Sequence, residues 1–404
     1  MWVRLPTVAV VDELTVDEAA RRLGVKPATL YAYVSRGVLD RRRGPDGRTS
    51  RFDAADIDAL ARRGRPRRSS RTTGLDIEID TSLTAIQPDR VRYRGHDAAR
   101  LARRRTFEEV ASLLWTGELG TVDEPWPVVE LDVGSGGSMI DVLARAVQAA
   151  AITDDHRREN DIARAGRRMV SAMVHGLPEP GDGRVSRLHL PEREPLRDTI
   201  AGRLWGRLAP TRPPAGAVAT LNAALVLLAD HELAASTLAV RVAASTRADP
   251  YAAVSAGLAT ASGPLHGAAS RLTRRMLERA ATSSGEAALA DAQQRYGTLP
   301  GFGHPLYERG DPRARALLEL MHETWSGSRQ LAQVDALVAA ARRRGEAANV
   351  DLALAALSHV AGMPVDAGQT IFAIARTAGW LAHAGEEYGE APLRFRPRAR
   401  FRDP

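Results

Sequence analysis

Residues 217–245 read AVATLNAALVLLADHELAASTLAVRVAAS: two runs with apolar residues at three- and four-residue spacing, broken by an acid-flanked histidine, DHE, at 230–232. That spacing is helical, and the density of alanine means the helices pack closely. The same pattern recurs outward in FEEVASLLW (107–115), MIDVLARAVQAAA (139–151), PYAAVSAGLATA (250–261) and VDALVAAARRR (334–344). Only LDIEIDTSLTAI (75–86) alternates as a strand does. The expectation is a mostly α body and not an α/β sheet. It carries no GxGxxG after a strand, no GxxxxGK[ST] and no repeat of fixed period.

Composition narrows the chemistry. The 404 residues are 44% hydrophobic and 26% charged, with no cysteine, which excludes disulfides, thiolate zinc sites and a thiol nucleophile. Lys26 is the sole lysine, so Schiff-base and pyridoxal-phosphate chemistry is excluded from the rest of the chain. No apolar run reaches the length of a membrane span, and the opening MWVRLPTVAVVDE turns acidic before a signal-peptide core forms; the sequence therefore predicts a cytoplasmic protein. The net charge of +7 is not spread evenly. Residues 1–72 hold 16 basic against 9 acidic side chains, leaving 40 against 40 in the remainder. A basic end on a neutral body points to a polyanion contact at that end.

Within that end, LTVDEAARRLGVKPATLYAYVSRGVL (14–39) carries two short helices. Thr15 is the expected N-cap with Glu18 as capping-box partner, and Val16, Ala19, Ala20 and Leu23 share a face; Gly24 ends the helix. Pro27 opens the second, Leu30, Tyr31 and Val34 supply its apolar face, and Gly37 closes it. DRRRGPDGRTSRF (40–52) follows as a hairpin turning at GPDG, then Asp53 caps a further helix. The order resembles the MerR-like and excisionase-like winged helix-turn-helix domains over residues 12–64. That resemblance implies DNA contact through Lys26, Thr29 and Tyr31 in the major groove and Arg48 and Arg51 of the wing on phosphates. The plainer alternative is a tethering or dimerisation module whose arginines form a solvated face. Residues 65–74, rich in Arg, Ser and Gly, read as a basic linker.

In the body, three histidines fall at breaks between helices: DHE, GPLHGA (263–268) and GFGHPLYERGDPRA (301–314). Glycine beside a ring permits close approach of a small ligand, and a helix end alters the ring's proton affinity. His359, in the apolar LSHVAG, reads instead as a hydrogen-bonded core residue. Asp351 in NVDLALAAL (349–357) adds a carboxylate, and the set lacks metal-ligand spacing, so no metal site is expected.

These motifs, with VRYRGHDAARLA (91–102), TFEEVASLLWTGELG (106–120), FAIARTAGWLAHAGEE (372–387) and RPRARF (396–401), resemble the citrate synthase family in order over residues 75–404. The resemblance implies a large helical domain from 75–261 and 359–404 and a small one from 262–358 that moves to close the site. It makes Asp351 the base that takes a proton from the acyl thioester, with His266 donating a hydrogen bond to the thioester oxygen. His304 would polarise the ketone of oxaloacetate and His231 would help hold it. Arg313 and Arg376 would bind its carboxylates, with Arg396 reaching across from the second subunit of a homodimer. The implied enzyme is an acyltransferase of the tricarboxylic acid cycle, condensing oxaloacetate with acetyl-CoA as cosubstrate, with no permanently bound cofactor. Two further readings stand beside it: 2-methylcitrate synthase using propionyl-CoA, and a DNA-binding regulator sensing oxaloacetate or acyl-CoA. The family usually reads GFGHRVYK and GGAN, where this chain has Pro305, Glu308, Ala268 and Ser270; loss of two cations beside the CoA channel bears on affinity or on the choice of thioester.

Overall fold

In the amino-terminal stretch Thr15 and Glu18 form the expected capping box, the Thr15 N–H donating to Glu18 at 2.8 Å and the Glu18 N–H returning to Thr15 Oγ1 at 3.3 Å. Helices Val16–Leu23 and Pro27–Ser35 follow, as the caps and Pro27 require. Strand Glu13–Thr15 then pairs with Ser50–Asp53, which pairs with Arg42–Arg43, a three-stranded antiparallel sheet. Ala19, Ala20, Leu30, Tyr33, Leu39, Phe52 and Ile57 form a small core of their own. Tyr33, not Tyr31, faces that core from the second helix; Tyr31 is 44% exposed. Arg22 and Asp58 pair through two hydrogen bonds of 2.7 and 2.8 Å.

The structure is a computed structural model that describes residues 13–23, 25, 27–35, 39–44, 49–54, 56–58, 78–122, 125–134, 136–179, 196–264, 266–267, 269–307, 310–397 and 401. The chain divides into two units, Met1–Ile79 and Asp80–Pro404. The second opens with an antiparallel sheet of Thr84–Gln87, Arg90–Tyr93 and His96–Asp97, so only the end of the alternating stretch, from Thr84, forms a strand; residues 78–83 do not, and 75–77 lie outside the described residues. Everything after it that is regular among the described residues is helix.

At the centre lies Ala367–Gly389, buried almost all round from Ala367 to Ala384. A helix can be enclosed in this way only if its neighbours come close, and the small residues of TFEEVASLLW-type and Ala-rich segments allow it. Helices Phe107–Thr116, Ile162–Gly176, Ala217–Leu228, Ala235–Ser245 and Pro250–Ala261 pack around it. Gly257 lacks the Cβ that would stand 2.9 Å from the Trp380 ring, which lets helix Pro250–Ala261 seat there. Helices Ala269–Thr282, Gly285–Tyr296, Arg329–Arg343 and Val350–Val360 form a neighbouring group, in which His359 Nε2 meets Gln333 at 3.2 Å.

Candidate active site

The site is built where helix Ala217–Leu228 stops. Its last two carbonyls, and the two that follow, are claimed by groups from elsewhere in the chain. Tyr93 Oη donates to Leu227 O at 3.0 Å and Asp230 O at 3.1 Å, Arg376 Nε donates to Leu228 O at 2.8 Å, and Gly379 N donates to Ala229 O at 2.9 Å. The DHE turn is thereby strapped onto the central helix. Arg376 is 1% exposed, its Cζ lies 4.8 Å from the Phe372 ring centre, and no protein hydrogen bond reaches its two terminal nitrogens among the described residues. Burial lowers its pKa to about 10, against the pull of Asp230, so it remains a cation at neutral pH.

A second loop carries the GFGH motif. Gly301 and Gly303 have φ of +83° and +73°, and a Cβ on Gly301 would lie 2.5 Å from the Thr273 side chain. Glycine is demanded there by conformation and by space. The loop is stitched to the start of helix Val350–Val360: Gly303 N donates to Ala347 O at 2.8 Å, Asn349 N to Gly301 O at 2.9 Å and Asn349 Nδ2 to Gly303 O at 2.9 Å. Asn349 Oδ1 also caps that helix, accepting from Asp351 N at 3.0 Å. Asp311 joins the same ends. It caps helix Pro312–Thr324, takes Arg313 Nε and Nη2 at 3.0 and 2.8 Å, and accepts from Val350 N at 3.1 Å.

These straps bring the sequence-predicted residues together. The His231 and His304 rings are 5.5 Å apart, edge to face, with Tyr307 5.7 Å from the first and 4.6 Å from the second; Arg313 lies 5.9 Å from the Tyr307 ring. Tyr307 Oη is 2.7 Å from His231 Nε2. Leu306 N donates to His304 Nδ1 at 3.1 Å, which leaves the proton of a neutral ring on Nε2. Trp380 Nε1 donates to Ser236 Oγ at 3.2 Å, and Ser236 Oγ lies 2.7 Å from His266 Nε2. The indole takes one lone pair of Ser236 Oγ and leaves its proton available to His266 Nε2, the arrangement in which the ring's own proton sits on Nδ1.

Burial first, then the charge of Arg376 or Arg313, lowers the pKa of all three histidines, His231 furthest. They are neutral donors at pH 7. Asp351 shifts the opposite way: burial lifts its carboxyl to about 6, although Arg313 and Arg376 oppose the rise. No hydrogen bond reaches its carboxylate among the described residues. Neutral imidazoles, a carboxylate poised near neutral pH and two buried guanidiniums are the equipment of an acid–base enzyme.

Other expected residues are placed differently. Arg396 is exposed and makes no hydrogen bond or ion pair among the described residues, while its neighbour Arg394 is held by Glu387 at 2.7 and 2.6 Å. Pro305 is exposed; Ser270 is buried with its Oγ unpartnered; Ala268 and Glu308 lie outside the described residues. Thr29 is partly buried, Tyr31 is exposed, and Arg51 sits in a strand opposite Thr15 and Arg42; Lys26 and Arg48 lie outside the described residues. Sequence reasoning missed Ser236, Tyr307, Trp380 and Asp311. Of these only Asp311 had a local signal, an Asp-Pro pair at a helix start.

The chain matches the family described as citrate synthase, C-terminal domain, over residues 75–398, and a helix-turn-helix domain over 13–65. It is 30% identical to a citrate synthase of Haloferax volcanii across 80% of this chain and 93% of that protein. It is 28% identical to 2-methylcitrate synthase 2 of Corynebacterium glutamicum across 80% and 91%. The crystal structure of citrate synthase from Thermotoga maritima matches with a TM-score of 0.65 at 25% identity, covering 82% of this chain and 94% of that one. The chain belongs to the citrate synthase family, and it is an acyltransferase of that type carrying a helix-turn-helix domain at its amino-terminal end.

Proposed function

We propose that the protein condenses oxaloacetate with acetyl-CoA to give citrate and CoA. The observation that carries this reading is Arg376, a buried cation whose Nε is committed to a helix end and whose terminal nitrogens are free to take a carboxylate, beside a carboxyl group poised near 6. Asp351 removes a proton from the methyl carbon of the thioester while His266 Nδ1–H donates to the thioester oxygen as negative charge develops there. Such a donor contributes about 3 to 4 kcal/mol and a positioned base about two to four orders of magnitude. The enolate carbon attacks the ketone carbon of oxaloacetate, His304 Nε2–H polarises the ketone oxygen, and His231, Arg313 and Arg376 hold the dicarboxylate. Water then cleaves the citryl thioester and releases CoA. The small domain, residues 262–358, closes on the large one, and Arg396 acts across a homodimer, its exposure and lack of a partner fitting that role.

The 2-methylcitrate synthase relative supports propionyl-CoA as a second donor; one methyl group is worth only about 1 to 3 kcal/mol in a pocket. The helix-turn-helix domain, with Tyr31 exposed, supports a DNA-binding role. Among the described residues no helix is long and apolar enough to cross a membrane, in keeping with a cytoplasmic enzyme. A thiol-release assay with oxaloacetate and a panel of acyl-CoA donors tests the reading. Turnover lost on Asp351→Ala supports it. No turnover with any donor, while oxaloacetate still stabilises the fold, supports a sensor instead. For the amino-terminal domain, the measure is a salt-dependent DNA affinity that vanishes on deletion of residues 1–72.

A further inference from the structure

Behind the histidines runs a buried ionic chain that none of these steps uses. Asp230 is fully buried; its Oδ2 accepts from Thr84 Oγ1 and from Glu232 N at 3.2 Å. Its other oxygen makes no hydrogen bond and faces His383 Nε2 at 3.4 Å. His383 Nδ1 accepts from Arg241 Nε at 3.1 Å. A guanidinium has no acceptor, so that contact leaves the ring proton on Nε2, aimed at Asp230. Arg241 also binds Glu386 and, at 3.0 Å, Glu387, and Glu387 in turn is held by Arg394 of the carboxy-terminal tail.

The charges close. Arg376, Arg241 and Arg394 face Asp230, Glu386 and Glu387, three against three, with His383 between Asp230 and Arg241. The end of the chain next to the site is Asp230. It precedes His231, its backbone oxygen is held by Tyr93, and its side chain is pressed against the central helix one turn beyond Arg376. A Cβ on Gly379 would stand 2.3 Å from Asp230 Oδ1. Asp230 is also the acid that most offsets Arg376, ahead of Tyr93 and Asp351, against burial and the cation Arg313.

We propose that Asp230 is a positioning residue: it holds the Arg376 guanidinium and the His231 turn in the orientation that receives an oxo-acid carboxylate, and the His383–Arg241 pair locks it there. The inference rests on the reading of Arg376 as a carboxylate binder. Removing the charge while keeping the shape would take the largest acidic partner from a buried cation and free it to turn toward other acceptors, Asp351 among them.

The test uses the full chain and compares Asp230→Asn with the wild type in oxaloacetate affinity, by calorimetry, and in the separate KM values for oxaloacetate and acyl-CoA. The expected result is a loss of about tenfold or more in oxaloacetate affinity, with the acyl-CoA KM nearly unchanged. His383→Gln, which keeps an acceptor for Arg241 and a donor for Asp230, stays close to wild type, whereas His383→Leu reproduces the oxaloacetate defect; this pair decides the matter if Asp230→Asn does not fold. Wild-type oxaloacetate affinity in Asp230→Asn, equal rises in both KM values, or equal behaviour of the two His383 variants overturns the inference. Failure of the wild-type chain to bind oxaloacetate overturns the functional reading together with it.

Discussion

Asp230 and Asp311 on the one hand, and Asp351 on the other, are aspartates of one site with opposite character. Arg313, by its charge and hydrogen bonds, holds the Asp311 carboxyl below the ordinary value despite burial, and His383, then Arg376 and Thr84, do the same for Asp230. Asp351 sits one residue past Val350 and takes no hydrogen bond on its carboxylate among the described residues, so burial wins and its carboxyl rises to about 6. What distinguishes a scaffold carboxylate from a base here is the positive charge and the donors set against it. Two carboxylates of the site are held by such partners to keep charge still; the third is poised to take up a proton.

The largest way to break this contrast is Asp351→Ala. A thiol-release assay is expected to show turnover reduced by about two to four orders of magnitude, with oxaloacetate still raising the Tm. Among the held carboxylates, Asp311→Asn removes the partner of a buried guanidinium and is expected to cost about 3 to 5 kcal/mol in denaturant unfolding. Leaving the carboxylates in place but crowding them, Gly379→Ala forces a Cβ against Asp230 Oδ1 and Ala229 O, an overpacking expected to cost about 1 to 3 kcal/mol.

Asp351 carries a stability signature of the opposite sign. Because the folded state favours the neutral form of Asp351, ionisation penalises folding fully above pH about 6, and the penalty disappears as the pH falls to the ordinary aspartate range. Asp351→Asn is therefore expected to raise stability at pH 8 by up to about 3 kcal/mol, a gain that shrinks on acidification. The same ionisation should make kcat/KM of the wild type fall as pH drops through about 6. The smallest effect is expected from Tyr307→Phe, which removes the contact to His231 Nε2 and costs about 1 kcal/mol in stability.

The helices, the capping box at Thr15 and the loops that carry His231, His266, His304 and Asp351 were all legible in sequence. They depend on contacts within a few residues: apolar spacing, a cap, a glycine that must adopt positive φ. Ser236, Tyr307 and His383 were not. Ser236 reads as a polar residue in an apolar stripe until His266, 30 positions on, lands against it, and Arg241 meets His383 across 142 positions. The amino-terminal sheet was half legible for the same reason. A hairpin announces itself by its turn, but the pairing of Glu13–Thr15 with Ser50–Asp53 joins strands separated by two helices.

From the sequence alone came the chemistry of the chain: no thiol, one lysine, a basic end, a neutral helical body, and acid–base side chains set at helix breaks. The packing of the central helix decided the rest. It brought Arg376 against the carbonyl of Leu228 and, among the described residues, the terminal nitrogens of that arginine stay unclaimed and the Asp351 carboxylate has no donor. A proton's affinity for a buried carboxylate is set by what surrounds it in space, and no local pattern of residues carries that information.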